Sequence, residues 1–334
     1  MKYEYSFIIP VYNRPMEIKE LLESLTKVSE IEKCEILIIE DGSDQDCKEI
    51  VKENGRALNL KYFYKPNSGP GDSRNYGMKR ANSDYFVILD SDAILPKDYL
   101  INLKNYQKNN YVDCYGGPDK AHENFSDVQK AIDYSMTSLW TTGGIRGRKE
   151  GRKGFQPRSF NMGISKKAFK ASGGFSHIHP GEDPDLALRL KKQNFKIDLY
   201  EDCYVYHKRR ISWKSFSLQM KKFGLVRPIL NSWHPESHKL SFYFPSFFSL
   251  GLLLSATLLI IGYFSLSMIY LLYFLIIFID CMFKTKNINV SILVLYAVII
   301  QFFSYGIAYL ISTYNIIFLK QDPMKTYPNL FFTK

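Results

Sequence analysis

The sequence predicts an α/β fold with a mostly parallel sheet flanked by helices, followed by a C-terminal transmembrane helical segment. Through residues 1–239, short apolar runs alternate with polar stretches of helical spacing, as in parallel sheets covered by helices on both faces. Residues 240–320 are predominantly apolar and long enough for several membrane-spanning helices. The chain therefore divides into a globular domain, an apolar segment and a tail at 321–334.

The strands and helices of the globular domain follow from the spacing of apolar residues. An apolar run ends at Val11, and behind it Ile18, Leu21 and Leu25 recur at helical spacing. Short continuous apolar runs bounded by turn residues are typical of buried strands. The predicted strands are Ser6–Val11, Glu35–Ile39, Leu60–Tyr64, Tyr85–Leu89 and Cys203–Tyr206, and further helices are predicted at 44–54 and 72–81.

Polar clusters follow three of the predicted strands where each strand ends. They are Asn13-Arg14, Glu40-Asp41 and Asp90-Ser91-Asp92. In open parallel sheets, ligands bind beyond the carboxyl ends of the strands. We therefore expect these clusters to meet at one ligand-binding edge.

Asp90-Ser91-Asp92 places two carboxylates two residues apart at the end of a buried strand. A Mg²⁺ or Mn²⁺ ion takes one or two carboxylates and completes its shell with phosphate and water oxygens. A solvated turn or a helix cap would use the same residues, so the motif alone leaves both open. His207, after the last predicted strand, is a candidate metal ligand or phosphate contact, or an ordinary surface histidine.

Asp41, Gly69 and Arg74 are candidate donor-binding residues. A carboxylate at position 41 can accept the N–H of a nucleotide base, although an Asx turn also explains it. The Gly69-containing turn opens a helix, where backbone N–H groups and Arg74 can meet a diphosphate. Ordinary helix capping by the following Asp72 or Ser73 is the alternative.

Glu182 and Asp183 stand at the start of another predicted helix. A carboxylate there can take the proton of an acceptor hydroxyl. The alternative is that both acids interact only with the helix dipole.

Five motifs follow one another along the chain: Pro10-Val11-Tyr12-Asn13-Arg14, Glu40-Asp41-Gly42-Ser43, Arg74-Asn75-Tyr76-Gly77, Asp90-Ser91-Asp92 and Gly181-Glu182-Asp183. Together they resemble the family-2 glycosyltransferases with a GT-A fold, over about two thirds of the chain. The resemblance implies an inverting transferase that uses a nucleotide-linked sugar and a divalent cation. It implies Asp183 as the general base with Glu182 beside it, and Asp92 as a metal contact.

The resemblance also implies the donor-binding residues and the partners. The acceptor is expected to be a lipid-linked saccharide or polysaccharide at a membrane, in cell-surface polysaccharide assembly, with membrane lipid but no nucleic acid as a partner. The donor-binding residues are expected to be Pro10, Val11, Tyr12, Arg14, Asp41, Gly69, Arg74, Asp90 and Ser91.

Other functions remain open from the residues. A processive polysaccharide synthase would carry a Gln-x-x-Arg-Trp segment, of which Gln219–Phe223 is a degraded form. A membrane-tethered nucleotidyltransferase would show a glycine-rich basic loop after the first strand, where this chain has Tyr12-Asn13-Arg14-Pro15. A nucleotide-binding protein without catalysis would not need Asp183.

The apolar segment predicts spans at about 242–263, 265–282 and 290–312, against the alternative of a buried helical hairpin. The basic stretch at 208–239, with Trp213 and Phe216, is predicted to lie on anionic lipid. Lys284 and Lys286 between the later spans favour a cytoplasmic globular domain, as a multi-pass protein of the inner or cell membrane.

Charge and cysteine usage agree with this location. The formal net charge of +11 fits a membrane surface, a nucleic acid or an anionic small molecule and does not choose among them. The five cysteines include no Cys-x-x-Cys pair, which argues against a thiolate zinc site and fits a reducing compartment. Met1–Pro10 lacks the apolar core of a signal peptide.

The glycine-rich basic stretch at 146–158 is predicted to be a loop, which either closes over a diphosphate or is simply solvated.

Overall fold

The computed structural model describes residues 3–54, 57–120, 125–142, 155–207 and 212–332, and of His207 the backbone alone. The chain divides into two compact units. The sheet unit comprises the described parts of Met1–His122, Lys149–Lys208 and Phe331–Lys334. The helical unit comprises those of Glu123–Arg148 and Arg209–Leu330.

Parts of two predicted basic regions lie outside the described residues. In the loop at 146–158 these are positions 146–154, and in the stretch at 208–239 they are positions 208–211. The same holds for the side chain of His207, the candidate metal ligand.

The strands all belong to the sheet unit, and helices occur in both units. The strands are β1 Ser6–Val11, β2 Glu35–Asp41, β3 Leu60–Lys65, β4 Tyr85–Leu89, β5 Ala93–Ile94, β6 Cys114–Gly116, β7 Asp119–Lys120, β8 Asn161–Ser165, β9 Ile197–Leu199 and β10 Val205–His207. The helices are α1 Pro15–Leu25, α2 Lys48–Asn54, α3 Pro70–Arg80, α4 Tyr99–Asn109, α5 Asp127–Thr137, α6 Leu139–Thr142, α7 Lys166–Ser172, α8 Glu182–Lys192, α9 Trp213–Trp233, α10 Phe244–Ile260, α11 Ser265–Thr285, α12 Ile288–Ser312 and α13 Pro323–Thr326.

The main sheet has the strand order β3-β2-β1-β4-β8-β6-β9 over the residues that the structure describes. Strands β3, β2, β1 and β4 pair in parallel, while β8 runs antiparallel to both of its neighbours, β4 and β6. A smaller sheet has the order β5-β10-β7 within the same described part of the unit. The predicted mostly parallel α/β sheet is confirmed, and the antiparallel β8 is an addition that the sequence pattern did not indicate.

Apolar side chains on the two faces of the main sheet pack into separate cores. Phe7, Ile36 and Val87 belong to one cluster of buried residues, and their chain neighbours Ile8 and Leu37 belong to the other. Successive side chains of a strand point to opposite faces, so a strand covered on both sides must be apolar throughout. This is why the central strands read as continuous apolar runs.

The helical unit contains three helices long and apolar enough to cross a membrane, judged by length and composition over the described residues. They span Leu240–Ile260, Ser265–Thr285 and Ile288–Phe318. Gly262, at a φ of +90°, lies in the turn between the first two, a conformation that glycine adopts without steric cost. The third includes a π-helical turn at Thr313–Phe318 beyond α12.

Helix α9 carries much of the described part of the basic stretch that is predicted to lie on lipid. Its Phe216 is fully buried and packs with Met220 and Ala297 of the same unit. Trp213 packs edge-on against Tyr296, with ring centroids 4.9 Å apart. These two aromatic rings therefore contact protein, while Lys214 and Lys221 on the same helix are exposed.

Candidate active site

The parallel register of β1, β2 and β3 brings the predicted polar clusters to one edge of the sheet. Val11 pairs with Glu40, and Asp41 pairs with Lys65 on the next strand. Val11 is only 2% exposed, so its side chain belongs to the core and only its backbone is available to a ligand. Pro10 is partly buried, and Tyr12 is half-exposed beyond the strand end.

Asp41 organises the turn that leads into α3. Its carboxylate pairs with Lys65 Nζ and accepts hydrogen bonds from the backbone N–H groups of Ser68 and Gly69, at 3.0 and 2.9 Å. The N–H of Gly69 is thus already engaged by protein.

Gly42, at a φ of +70°, lets the Asn67 backbone approach, because a Cβ at position 42 would lie 2.6 Å from Asn67 N.

Glu40 and Asn13 hold the loop after β2. Glu40 is buried and accepts hydrogen bonds from Ser43 Oγ and, at 2.9 Å, from the backbone N–H of Cys47. Asn13 Oδ1 accepts from the N–H groups of Asp44 and Gln45 at 2.9 and 3.1 Å. These side chains fix the loop beside Asp41.

Arg74 is a buried cation that joins two acidic residues of distant segments. One terminal nitrogen donates to Asp90 Oδ1 at 2.9 Å and the other to Glu182 Oε1 at 3.1 Å. Burial alone would lower the pKa of Arg74, but Asp90 and Glu182 outweigh it and raise that pKa. The guanidinium therefore stays charged and ties the end of β4 to the start of α8.

Glu182 is held by two positively charged or chargeable groups. Besides Arg74, His179 Nδ1 lies 2.9 Å from Glu182 Oε1. Burial would raise the pKa of Glu182, yet His179 and Arg74 together lower it. Desolvation likewise opposes protonation of His179, but the Glu182 charge raises the pKa of that imidazole. The Arg74 and His179 contacts, both to Oε1, thus favour the ionised form of Glu182.

Asp183 has the opposite environment one residue later. Its Oδ2 accepts a hydrogen bond from the Ser159 backbone N–H at 3.1 Å, and its Oδ1 is buried without a hydrogen-bond partner among the described residues. Burial and the neighbouring Glu182 charge raise the pKa of Asp183. An ionised carboxylate that has few hydrogen-bond donors around it is a better proton acceptor than one held in an ion pair.

Asp92 faces a cation of its own. Arg14 NH1 donates to Asp92 Oδ2 at 2.7 Å, which places Arg14 at the end of β4. Ser91 and Asp92 are buried, whereas the Asp90 side chain is 32% exposed. Within the described ranges, no group of three or more His, Cys, Asp or Glu side chains is arranged to hold a metal ion.

The structure thus brings Arg74, Asp90, Glu182 and Asp183 into one cluster, and Arg14 with Asp92 into a neighbouring pair. Three contributors escaped the sequence analysis: His179, Ser159 and Lys65. The spacing of His179 three residues before Glu182 was a visible signal, because such a pair can meet at a helix start. The Ser159 backbone contact left no signal in the sequence.

Asp183→Asn is expected to raise the thermal unfolding temperature at neutral pH, because it removes a carboxylate whose charged form the fold disfavours. The pKa of Asp183 is higher in the native state than the unfolded value of about 3.9, so the wild type loses stability as pH rises through that interval. We expect a gain of a few degrees at pH 7.5, on the order of 2–4 °C per kcal/mol, that fades below about pH 4. Scanning calorimetry at both pH values checks this, and a gain that grows toward acid pH would contradict it.

The sequence profile of the family described as glycosyl transferase family 2 matches residues 6–173. A Rickettsia felis protein named an uncharacterized glycosyltransferase is 39% identical over 119 residues, which cover 35% of this chain and 20% of that protein. The minor teichoic acid biosynthesis protein GgaB of Bacillus subtilis is 29% identical over 213 residues, 62% of this chain and 23% of GgaB. The chain therefore spans about a fifth of the length of these relatives.

A solved structure matches most of the chain. The mannosyltransferase PcManGT from Pyrobaculum calidifontis, in complex with GDP-Man and Mn²⁺, aligns with a TM-score of 0.55 and 12% identity. The alignment covers 96% of this chain and 89% of PcManGT. At this identity the likeness concerns the fold, and it agrees with the predicted GT-A-type architecture.

Proposed function

Because the chain belongs to glycosyltransferase family 2, we propose that it transfers a sugar from a nucleotide-diphosphate sugar to a membrane-associated acceptor, with inversion at the anomeric carbon. The contrast between two adjacent carboxylates carries the proposal. Glu182 is paired with Arg74 and His179, whereas Asp183 keeps one oxygen without a donor among the described residues. In an inverting transfer, such a carboxylate can accept the proton of the attacking hydroxyl.

In the proposed reaction, an acceptor hydroxyl attacks the anomeric carbon while the bond from that carbon to the diphosphate oxygen breaks. Asp183 takes the hydroxyl proton, and the bonding electrons leave with the nucleoside diphosphate. Arg74 fixes Asp90 and Glu182 in place, and its positive charge favours the negative charge that develops on the leaving group. The end of β1 would line the nucleotide, and Asp41, bonded to the Gly69 N–H, would shape the turn beside it.

The carboxylate oxygens at the end of β4 fit a hard divalent cation as ligands. Asp90 and Asp92 offer carboxylate oxygens from one short turn, and the Asp90 side chain is accessible. Mg²⁺ and Mn²⁺ take such oxygens and complete their shell with substrate phosphates. We propose that these two residues would hold the ion, with His207 as a further candidate ligand. When bound, it would supply positive charge against the departing diphosphate.

The acceptor is proposed to be a lipid-linked saccharide or growing polysaccharide. The kinship with a protein named for minor teichoic acid biosynthesis supports a role in cell-surface polymer assembly. The helices at Leu240–Ile260, Ser265–Thr285 and Ile288–Phe318 would keep the enzyme at the membrane where such acceptors reside. We propose that residues 1–239 work on the cytoplasmic side, where nucleotide-sugars are made.

Asp92→Ala is expected to abolish the Mn²⁺ dependence of nucleotide binding, because it removes one of the two carboxylates proposed to hold the ion. Thermal-shift screening of UDP-, GDP- and dTDP-sugars with and without Mn²⁺ first identifies the donor. Calorimetry then compares the variant with wild type, and we expect at least about tenfold weaker Mn²⁺-dependent binding, a loss of about 1.4 kcal/mol.

Asp98→Ala is the matched control, since Asp98 is exposed and makes no side-chain capping bond at the start of α4. It should leave Mn²⁺-dependent binding unchanged. Unaltered binding in Asp92→Ala would refute the metal assignment. A protein that bound none of the nucleotide-sugars in the screen would refute the proposed function.

A further inference from the structure

The last described residues, Phe331 and Phe332, belong to the sheet unit although they follow the helical unit in the chain. Phe331 forms an antiparallel bridge with Ile178 and is 8% exposed. The backbone N–H of Phe332 donates to the His177 carbonyl oxygen at 3.0 Å. Residues 331–332 are thus docked by backbone pairing and by burial of the Phe331 side chain.

The Phe332 ring fills the space that Gly69 leaves. Gly69 has a φ of +89°, and a Cβ added to it would lie 2.4 Å from the Phe332 ring. The ring also approaches His179, with ring centroids 6.1 Å apart. Phe332 is therefore close to both the start of α3 and the loop that precedes α8.

That loop ends at the candidate catalytic acids. His179 Nδ1 lies 2.9 Å from Glu182 Oε1, and the same oxygen accepts from Arg74. The start of the loop is held separately, because Asn75 exchanges two hydrogen bonds with the Phe175 backbone at 2.8 and 2.9 Å. The middle of the loop, at 177–179, contacts Phe331 and Phe332.

We propose that Phe332 is a positioning residue: by holding the loop at 177–179, it keeps His179 on Glu182 and so fixes the acid pair for the proposed sugar transfer. The catalytic part of this inference rests on the proposed function. Phe332 can influence the acid pair because it contacts the loop directly, and Asp183 lies only four residues beyond His179. Misplacement of reacting groups by about 1 Å can cost roughly 10²-fold in rate.

Amide hydrogen exchange of the full-length protein, without substrate, tests the docking of residues 331–332. In Phe332→Ala, exchange across residues 176–182 should be about tenfold faster than in wild type, because local opening becomes easier. Phe332→Tyr keeps the ring and should restore slow exchange. Phe63→Ala is the matched control, since Phe63 lies on β3 at one edge of the main sheet and its ring packs on Tyr76 of α3, with ring centroids 6.0 Å apart. It should leave exchange at 176–182 unchanged.

Turnover separates positioning from simple packing. Phe332→Ala should lower kcat roughly 10–100-fold while donor affinity stays within about twofold, and Phe332→Tyr should recover kcat. Unchanged exchange at 176–182 in Phe332→Ala would overturn the proposal, and so would faster exchange with unchanged kcat. A wild type that turns over no nucleotide-sugar would instead overturn the proposed function, and the exchange result would still decide whether Phe332 holds the loop.

Discussion

Asp183→Asn is expected to lower turnover by about 10²–10⁴-fold while donor affinity changes by less than about twofold. The substitution removes the proton acceptor but keeps the shape of the side chain. The hydrogen bond from the Ser159 N–H can persist, because an amide oxygen still accepts it. Steady-state release of nucleoside diphosphate gives the rate, and calorimetry with the nucleotide gives the affinity.

Glu182→Gln distinguishes the two acids at the helix start. Because Glu182 already pairs with Arg74 and His179, we expect its neutralisation mainly to weaken stability or acceptor binding. Asp98→Asn, at an exposed aspartate, serves as the control and should leave both rate and affinity unchanged. If Glu182→Gln abolished turnover while Asp183→Asn kept a near-normal rate, the two roles would be reversed.

Arg74→Met is expected to destabilise the fold by roughly 3–5 kcal/mol, because it leaves Asp90 and Glu182 without their shared cation. In thermal unfolding this corresponds to a drop on the order of 10 °C. The exposed Arg80 lies on the same helix, and Arg80→Met should change the unfolding temperature far less. Differential scanning calorimetry of the full-length protein in detergent compares the unfolding temperatures of the variants.

A double substitution tests whether the cost arises from the buried pair. Glu182→Gln removes one of the charges that Arg74→Met would strand, so the double variant should be more stable than the sum of the single losses predicts, by about 0.5–3 kcal/mol. Strict additivity would show that the Arg74–Glu182 contact, at 3.1 Å, contributes little to the fold.

The strands of the first half of the sheet could be predicted from the sequence because burial on both faces makes them continuous apolar runs. Ser6–Val11 and Tyr85–Leu89 have the predicted bounds. Strand β2 extends two residues further than predicted, to Asp41, because Glu40 and Asp41 continue the ladder with β3 while their side chains are held by local donors. A pattern based on apolar residues alone stops at Ile39.

The contacts within the candidate site could be predicted only in part. Strand ends place Asp41 and Asp90 at one edge of a sheet, since that follows from parallel pairing. The bridge from Arg74 to Glu182 joins residues 108 positions apart, and no local periodicity reports such a contact. The position of Phe332 was still harder to predict from the sequence. Its place beside Gly69 depends on the chain returning to the sheet unit after the apolar helices.

The central claim is sugar transfer with Asp183 as the base, and its most direct test measures the release of nucleoside diphosphate by the full-length protein. The assay contains Mn²⁺, a membrane extract as the source of acceptor, and each nucleotide-sugar in turn. We predict release from at least one of the UDP-, GDP- or dTDP-sugars, with the sugar recovered on an acceptor or as free sugar, and release reduced at least about 10²-fold in Asp183→Asn. Nucleotide-sugar binding without any release in the wild type, or equal release in Asp183→Asn, would contradict it.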